Sequence, residues 1–456
     1  MNFLLTSLLN PYFFWVAWIL IPLVMEIIPA FGSIIVLFIR LHRPKENIIL
    51  EKYPEITVIV PVYNSADTLE QCINSIDKST YPNKSIRIFI VYNGGNDESF
   101  DVFSKCQIKY SNLSMQWLNA EQGKSRALNM AIYNSGGKYI IHVDSDGFLE
   151  KDALMNIVKK FESDTKISCM TGTILTDPEQ IEQYTSIKSK TLRKMEFMEY
   201  AQAFMAGRNY ASEFNAIYTL SGAFSAFRES VIRQSYLYNT NTICEDTEIT
   251  FQMKYLQHER VWICEDAIFF VSPIENMDKL YTQRQRWQRG SLEVAKIFLS
   301  KSKLAPYKIF TDVNIKTLMY DHTFAFPRLI WYLALVCLMF VGYSGKTVLL
   351  STVIMFGFYI FCGYLYFFAT IGFMKGFYSL KKYYERQWKI VALLPGFNLL
   401  VFFIRFAGVI NSIGTNSEWK TKTFTEEKAE MNKSITSDIK KPISLFIKIK
   451  GVFNES

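Results

Sequence analysis

Tyr139-Ile140-Ile141-His142-Val143-Asp144-Ser145-Asp146-Gly147 is the stretch from which the rest of the chain can be read. The run from Tyr139 to Val143 is apolar and rich in β-formers, which predicts a short buried strand. Residues i and i+2 of a strand point to the same side, so Asp144 and Asp146 project together from its C-terminal end. In an open α/β sheet that edge is where ligands bind. Two carboxylates there suit a hard divalent cation, Mg²⁺ or Mn²⁺, which can neutralise the diphosphate of a nucleotide. A solvated turn gives the same letters, so the pair takes its meaning from its surroundings.

Those surroundings alternate strand and helix from Ile56 to about Thr173. Ile56 to Val60 is β-branched and apolar, with Pro61 expected to end its ladder. Leu69, Cys72, Ile73 and Ile76 recur at helical spacing. Strands are predicted at Ile86 to Val91 and Gln116 to Leu118, then a helix through Ala127, Leu128, Ala131 and Ile132. After the Asp144 strand come a helix over 152–163 and a strand near Cys169 to Ile174. This βαβα order predicts a mostly parallel, right-handed sheet with its site at the carboxyl edge. Residues 175–240 are less regular and include a polar helix around 179–205. Ser221-Gly222-Ala223 is small enough for a backbone to lie close beneath a ligand, or simply for a tight strand bend.

Outside this region the 456-residue chain turns apolar. Residues 12–39, 323–342, 347–374 and 389–410 are each long enough to cross a hydrocarbon core, which takes about 20 helical residues. The basic cluster Arg40-Leu41-His42-Arg43 follows the first stretch and predicts a cytoplasmic position for residues 43 to about 320. Pro395-Gly396 interrupts the last stretch, which reads as spanning or re-entrant. The expected organisation is an N-terminal anchor over 1–45, a catalytic domain over 46–300 and an interfacial connector over 301–322. A membrane region over 323–411 and a basic tail over 412–456 complete it. Three C-terminal spans would put that tail outside, although its lysines suit the cytoplasmic side.

The seven cysteines are scattered with no Cys-x-x-Cys pair, so neither a disulfide framework nor a zinc site is suggested. The net charge of +8 lies largely in Lys381, Lys382, Arg386, Lys389 and the tail, as a rim for anionic lipid headgroups. No nucleic-acid recognition module is present.

Three further clusters carry chemistry. Glu245-Asp246 opens a helix; it either complements the helix dipole or supplies a general base for a weakly nucleophilic hydroxyl. Gln283, Arg286 and Trp287 lie at i, i+3 and i+4 of an amphipathic helix from about Met277 to Leu299, so they share a face. A cation beside an indole can hold a diphosphate and stack a sugar, although an interfacial helix carries the same residues. Gly123-Lys124-Ser125 puts an ammonium just before a helix N-terminus, where amides also favour phosphate.

In this order, the pieces resemble the membrane-bound, processive family 2 glycosyltransferases, of which cellulose, hyaluronan and poly-N-acetylglucosamine synthases are examples. They resemble also a subgroup encoded beside exosortase-type sorting systems in Gram-positive bacteria. The resemblance covers about residues 54–300 and the flanking apolar segments. It implies a GT-A, Rossmann-like α/β domain on the cytoplasmic side, flanked by transmembrane helices in a multi-pass protein of the bacterial plasma membrane. It makes Asp146 the principal metal ligand, with Asp144 on the metal or nucleotide. Asp246, beside Glu245, becomes the catalytic base. Pro61 and Tyr63 fall in the nucleotide loop, Lys124 on the phosphate side, and Gln283, Arg286 and Trp287 at the diphosphate and acceptor. The implied reaction is inverting transfer of a hexosyl or N-acetylhexosaminyl group from a nucleotide sugar, a UDP-sugar by family habit, to a growing surface polysaccharide. The second reading is non-processive transfer to a lipid carrier or glycolipid; a catalytically silent membrane scaffold is the third, and the intact carboxylates argue against it. One departure matters. The family places an Asp at the end of the second strand to bind uracil, whereas this chain has Tyr92-Asn93 there. An amide donates as well as accepts, so Asn93 is expected to alter base recognition.

Overall fold

The computed structural model describes residues 20, 23–44, 48–301, 325–340, 342, 344–414 and 423–429. Eight strands form one sheet: β1 (Ile56–Val62), β2 (Ile86–Tyr92), β3 (Ser114–Asn119), β4 (Tyr139–Val143), β5 (Gly147–Leu149), β6 (Ile167–Thr176), β7 (Phe224–Arg228) and β8 (Arg260–Val271). Their spatial order is β3-β2-β1-β4-β7-β6-β8-β5. The β3-β2-β1-β4 half is parallel, as the βαβα alternation requires. The other half is mixed: β7 runs antiparallel to both β4 and β6, and β5 runs antiparallel to β8. Parallel pairing returns between β6 and β8, so the expected mostly parallel sheet is interrupted by the antiparallel β7 and edged by the antiparallel β5. Helices still separate most of the later strands, but β7 enters antiparallel between β4 and β6, strands distant from it in the chain.

Both faces of the parallel half are covered, which is why its strands read as continuous apolar runs. Val58, Val60, Ile88, Ile90, Ile141 and Val143 pack with Leu69, Ile73, Ile157 and Phe161 on one face. Ile59, Phe89, Val91 and Ile140 pack with Ala127, Leu128, Ala131 and Ile132 on the other. Pro61 does not end its ladder: β1 pairs with β2 through Val62↔Tyr92, whereas its pairing with β4 stops at Ile59↔His142. Beyond Ile59 β1 pairs only with β2, so a proline there can leave its missing N–H on the unpaired side.

The polar helix expected over 179–205 is instead several pieces: Pro178–Gln183, Ile187–Ala201, a π-helical turn Gln202–Arg208, and Asn209–Glu213. Arg40, in the N-terminal helix Ile28–His42, anchors that helix to the domain. Its guanidinium reaches Ser212 (2.7 Å), Glu213 (2.8 Å) and Glu265 (3.4 Å), and lies over the Trp262 ring. Arg40 and Arg43, read as a topogenic charge, thus also form ion pairs with the catalytic domain.

Two helices are long and apolar enough to cross a membrane, Gly345–Phe373 and Trp388–Ser412; only 22% and 33% of their apolar windows are buried in protein. Helices so little covered would leave their apolar sides in water, so these two associate with a membrane. Of the other expected spans, Ala325–Phe340 is a helix of 16 residues. Of the first expected span the structure describes residue 20 and residues 23–39, the latter within the helical run Leu23–His42, whereas the connector and the tail lie largely outside the described residues. Pro395 falls in the first turn of the continuous helix Leu394–Gly414, where a missing N–H costs nothing, so it does not break that segment. Beyond it, residues 423–429 dock on the helix Met277–Lys301. Thr425 donates to Asp278 (2.9 Å), Phe424 lies 5.4 Å from Tyr281, and Glu427 accepts from Tyr281 and Asn411. This part of the tail is therefore on the same side as the catalytic domain.

Candidate active site

The carboxyl edge of the sheet gathers the charged residues of four separate segments. β4 delivers Asp144, whose backbone N–H donates to Ala223 (3.0 Å) and so ties the strand end to the Ser221–Ala223 turn. Lys124 opens the helix Lys124–Asn134, after Gly123 at φ 131°, a left-handed conformation suited to glycine. Its ammonium lies 2.5 Å from Asp144 Oδ1 and 3.8 Å from Glu245 Oε1, and donates to the Gly222 carbonyl at 3.1 Å. Burial opposes that charge, but Asp144, Glu245 and Asp246 outweigh it and hold the ammonium protonated.

Glu245 and Asp246 start the helix Glu245–Phe251 and do different things. Asp246 Oδ2 accepts from Gly222 N–H (3.2 Å) and Oδ1 from its neighbour Thr247 N–H (2.7 Å), so two backbone donors fix its carboxylate. Glu245 faces Lys124; burial pushes its carboxyl up to about 7, Lys124 works against that, and Asp246 adds to it. A Cβ on Gly222 would stand 3.3 Å from Asp246 Oδ2 and 3.4 Å from Lys124 Nζ. Ser221-Gly222-Ala223 forms a bend just before β7, and its glycine lets the backbone lie close to Asp246 and Lys124.

Asp146 opens to the cleft beside this cluster. The enclosing walls and the charge of Asp144 push its carboxyl up to about 6, and Lys124 and Arg286 pull against them. Asp144 and Asp146 fit a divalent cation: two carboxylates suffice where the substrate's phosphates complete the shell. Among the described residues no third His, Cys, Asp or Glu joins them.

The residues expected on the nucleotide side line the neighbouring strand ends. Tyr63 is exposed, next to Asn64 at φ 50°, and Ser65 meets Ser145 of the Asp-Ser-Asp motif at 2.7 Å. Asn93 is nearly buried after β2, with its backbone N–H on Val62 (3.0 Å). Gly95, at φ 127°, could not carry a side chain, because a Cβ would sit 2.5 Å from Asn64 Oδ1. Pro61 is the penultimate residue of β1, opposite Val91 and two positions before Tyr63.

The Gln283–Trp287 face lies on the helix Met277–Lys301. Arg286 is close enough for its charge to act on Asp146 and Cys244. Gln283 Oε1 is buried with no hydrogen-bond partner among the described residues. Trp287 packs against the core, 4.4 Å from the Arg284 guanidinium, which is ion-paired to Glu199. Arg284 is thus the arginine that supports the indole, and Arg286 the one turned to the carboxylates.

Other residues of the cleft were not picked out in the sequence. His142, two positions before Asp144 on β4, holds Tyr238 Oη at 2.6 Å through Nδ1, and burial keeps its ring neutral, with a pKa near 3. Its place at i−2 of the motif was a usable signal. Arg208 and Thr171 also reach the Ser221 turn, and nothing in their local sequence marks them.

Residues 57–235 match the family model described as Glycosyl transferase family 2. The chain is 26% identical over 278 residues to a poly-β-1,6-N-acetyl-D-glucosamine synthase of Staphylococcus epidermidis, covering 60% of this chain and 64% of that protein. It is 26% identical over 294 residues to the synthase of the same name from Staphylococcus aureus, covering 63% and 68%. The match thus spans just under two thirds of the first relative's length. In structure it is similar to the mannosyltransferase PcManGT from Pyrobaculum calidifontis, solved with GDP-Man and Mn²⁺. The TM-score is 0.57 at 17% identity, over 85% of this chain and 96% of that one. The sheet, its carboxyl-edge cluster and these likenesses lead to one conclusion: the chain carries a glycosyl transferase family 2 domain of GT-A fold.

Proposed function

We propose that the protein is an inverting glycosyltransferase that moves a sugar from a nucleotide-sugar donor to a growing surface polysaccharide at the bacterial plasma membrane. The observation that carries this reading is the single cluster in which Lys124 joins Asp144 to Glu245 while Gly222 fixes Asp246. Asp246, oriented by two N–H donors, takes the proton of the acceptor hydroxyl as that oxygen attacks the anomeric carbon. The bond to the nucleoside diphosphate breaks on the opposite face, and Lys124 and Arg286 supply positive charge to the leaving phosphates. Asp144 and Asp146 would hold Mg²⁺ or Mn²⁺, which when bound adds further charge at the same place. Glu245, close to neutral, keeps Lys124 placed without adding a full negative charge.

The staphylococcal relatives support a polymeric product and an N-acetylhexosaminyl donor, and the Mn²⁺ of PcManGT supports a divalent cation. Tyr63 and Asn93 line the nucleoside end, with UDP the favoured carrier. The apolar helices and the basic rim support a position of the domain on the cytoplasmic face, in contact with lipid. The tail segment docked on Met277–Lys301 then lies in the cytoplasm as well, which favours an even number of crossings if the N-terminus is also inside.

The test is incubation of the full chain in nanodiscs with UDP-GlcNAc, UDP-Glc and GDP-Man, with Mg²⁺ or Mn²⁺, reading nucleoside diphosphate release and product size. One donor consumed with a ladder of long products is expected. A single-sugar product on added lipid would move the reading to a carrier-loading transferase. Nucleotide binding with no donor consumed would overturn it.

A further inference from the structure

Arg208 is a partly buried cation on the Thr171–Ser221 side of the site. Among the described residues no carboxylate lies within ion-pair reach, and its hydrogen bond is to Thr171 Oγ1 at 3.2 Å. A guanidinium has five N–H donors in a fixed fork, so most of its capacity is open. It lies 4.0 Å over the Phe204 ring. Thr171 in turn accepts from Ser221 N–H (3.2 Å), the residue before the glycine that holds Asp246. Burial pulls the guanidinium's pKa down to about 10, offset in part by Tyr218 and Asp246. The segment that presents it, Gln202–Arg208, is a π-helical turn inside an otherwise α-helical run. One extra residue in a turn rotates everything after it by roughly 100°, and such turns often serve functional sites. Here the rotation brings Arg208 to the Ser221 turn.

Lys124 and Arg286 act on Asp144 and Asp146, the side where a donor diphosphate belongs. Arg208 is tied instead to the Thr171–Ser221 side, beside Asp246. We propose that Arg208 is an acceptor-binding residue, whose open donors take hydroxyl or carbonyl oxygens of a neutral glycan and set its attacking hydroxyl against Asp246. Phe204 and Tyr218 give the sugar an apolar surface, as aromatic rings do. This assignment rests on the glycosyltransferase reading above.

The experiment uses the full chain in nanodiscs, the nucleotide sugar that the wild type consumes, and N-acetylglucosamine or its β-1,6-linked pentasaccharide as added acceptor. For Arg208→Gln the acceptor KM is expected to rise about tenfold or more, the loss of charged hydrogen bonds. Arg208→Lys should recover part of it, and the Kd of the donor's nucleoside diphosphate should stay within about twofold of wild type. A nucleotide Kd weakened as much as the acceptor KM would make Arg208 a diphosphate residue and overturn the assignment. An unchanged acceptor KM would overturn it equally. If the arginine variants fail to fold, Phe204→Leu keeps the guanidinium and removes the ring. A rise of several-fold in acceptor KM supports the subsite, and no rise removes it. A wild type inert with every donor would instead sink the underlying reading, which separates the two failures.

Discussion

The two halves of the sheet were built under different constraints. In the parallel half, β3-β2-β1-β4, each chemical group sits at the end of a strand or at the start of the helix that follows it. Tyr63, Asn93 and Asp144 are therefore fixed by register alone. In the mixed half the groups come from elements far apart in the chain. Thr171, Arg208, Ser221 and Asp246 meet through loops, a π-turn and one glycine. On the proposed reading, strand ends set where the donor binds, and the tertiary packing of irregular segments sets what faces it.

The hardest way to break that contrast is at Asp246, the carboxylate that the mixed half holds in place. Asp246→Asn keeps the size and one of the two N–H contacts, since an amide nitrogen cannot accept, and removes the base. Transfer should fall by about 10³-fold or more, while nucleotide binding on the parallel side is spared. Titration of nucleoside diphosphate alongside turnover checks both. Retained turnover would remove Asp246 as base, and lost nucleotide binding would mean that the two sides are not separable.

Next in size is a contact between the helix Met277–Lys301 and the acidic pair. A Cβ on Gly290 would sit 2.1 Å from Cys244 Sγ and 2.7 Å from Cys244 Cβ, immediately before Glu245. Gly290→Ala should push that helix and the pair apart. Overpacking of this kind costs about 1–3 kcal/mol, and a 1 Å displacement of a reacting group can cost roughly 10²-fold in rate. Adding Cys244→Gly clears both clashes and should restore most of the rate. A slow double variant with a normal melting temperature would show that Gly290 acts by some other route.

The same contrast explains how much of this molecule was legible in its sequence. Asp144, Asp146, Lys124 and the Glu245-Asp246 pair could be read because each stands at a strand or helix boundary, where periodicity stops and polar residues start. The two faces of the parallel half were legible because strand alternation sorts Ile59 from Val58 and Val60. Arg208 was not, since a π-turn shifts the helical phase and leaves no mark in composition. Nor could the antiparallel entry of β7 be read, because Ser221 to Phe227 has the same letters in either direction. The Pro61 expectation failed for a related reason: whether a strand tolerates proline depends on how many neighbours it has there.

A smaller effect tests whether register alone selects the base. Asn93 is nearly buried, and its side chain makes no hydrogen bond among the described residues. Competition by UDP, GDP, CDP and dTDP against the donor should change in rank when Asn93 becomes Ala, by several-fold, about the worth of one hydrogen bond. A strong UDP preference that Asn93→Ala leaves untouched would assign the base to backbone groups and make Asn93 part of the turn.

The smallest effect is on stability, and its sign follows from Glu245. Its carboxyl is held at about 7 in the folded protein, against an ordinary value of 4.5. Below pH 4.5 it is protonated in both states and costs nothing. Between 4.5 and 7 the unfolded chain ionises while the folded one does not, so stability is lost as pH rises, and the loss is complete above 7. Glu245→Gln mimics the protonated form at every pH. The melting temperature of the variant, less that of wild type, should therefore widen from pH 5 to pH 8 by roughly 2–5 °C. A gap that is flat or narrows with pH would mean that Lys124 fully compensates the Glu245 charge. The pair would then be an ordinary ion pair that stabilises the folded state, and the near-neutral partner invoked for Lys124 would have to be given up.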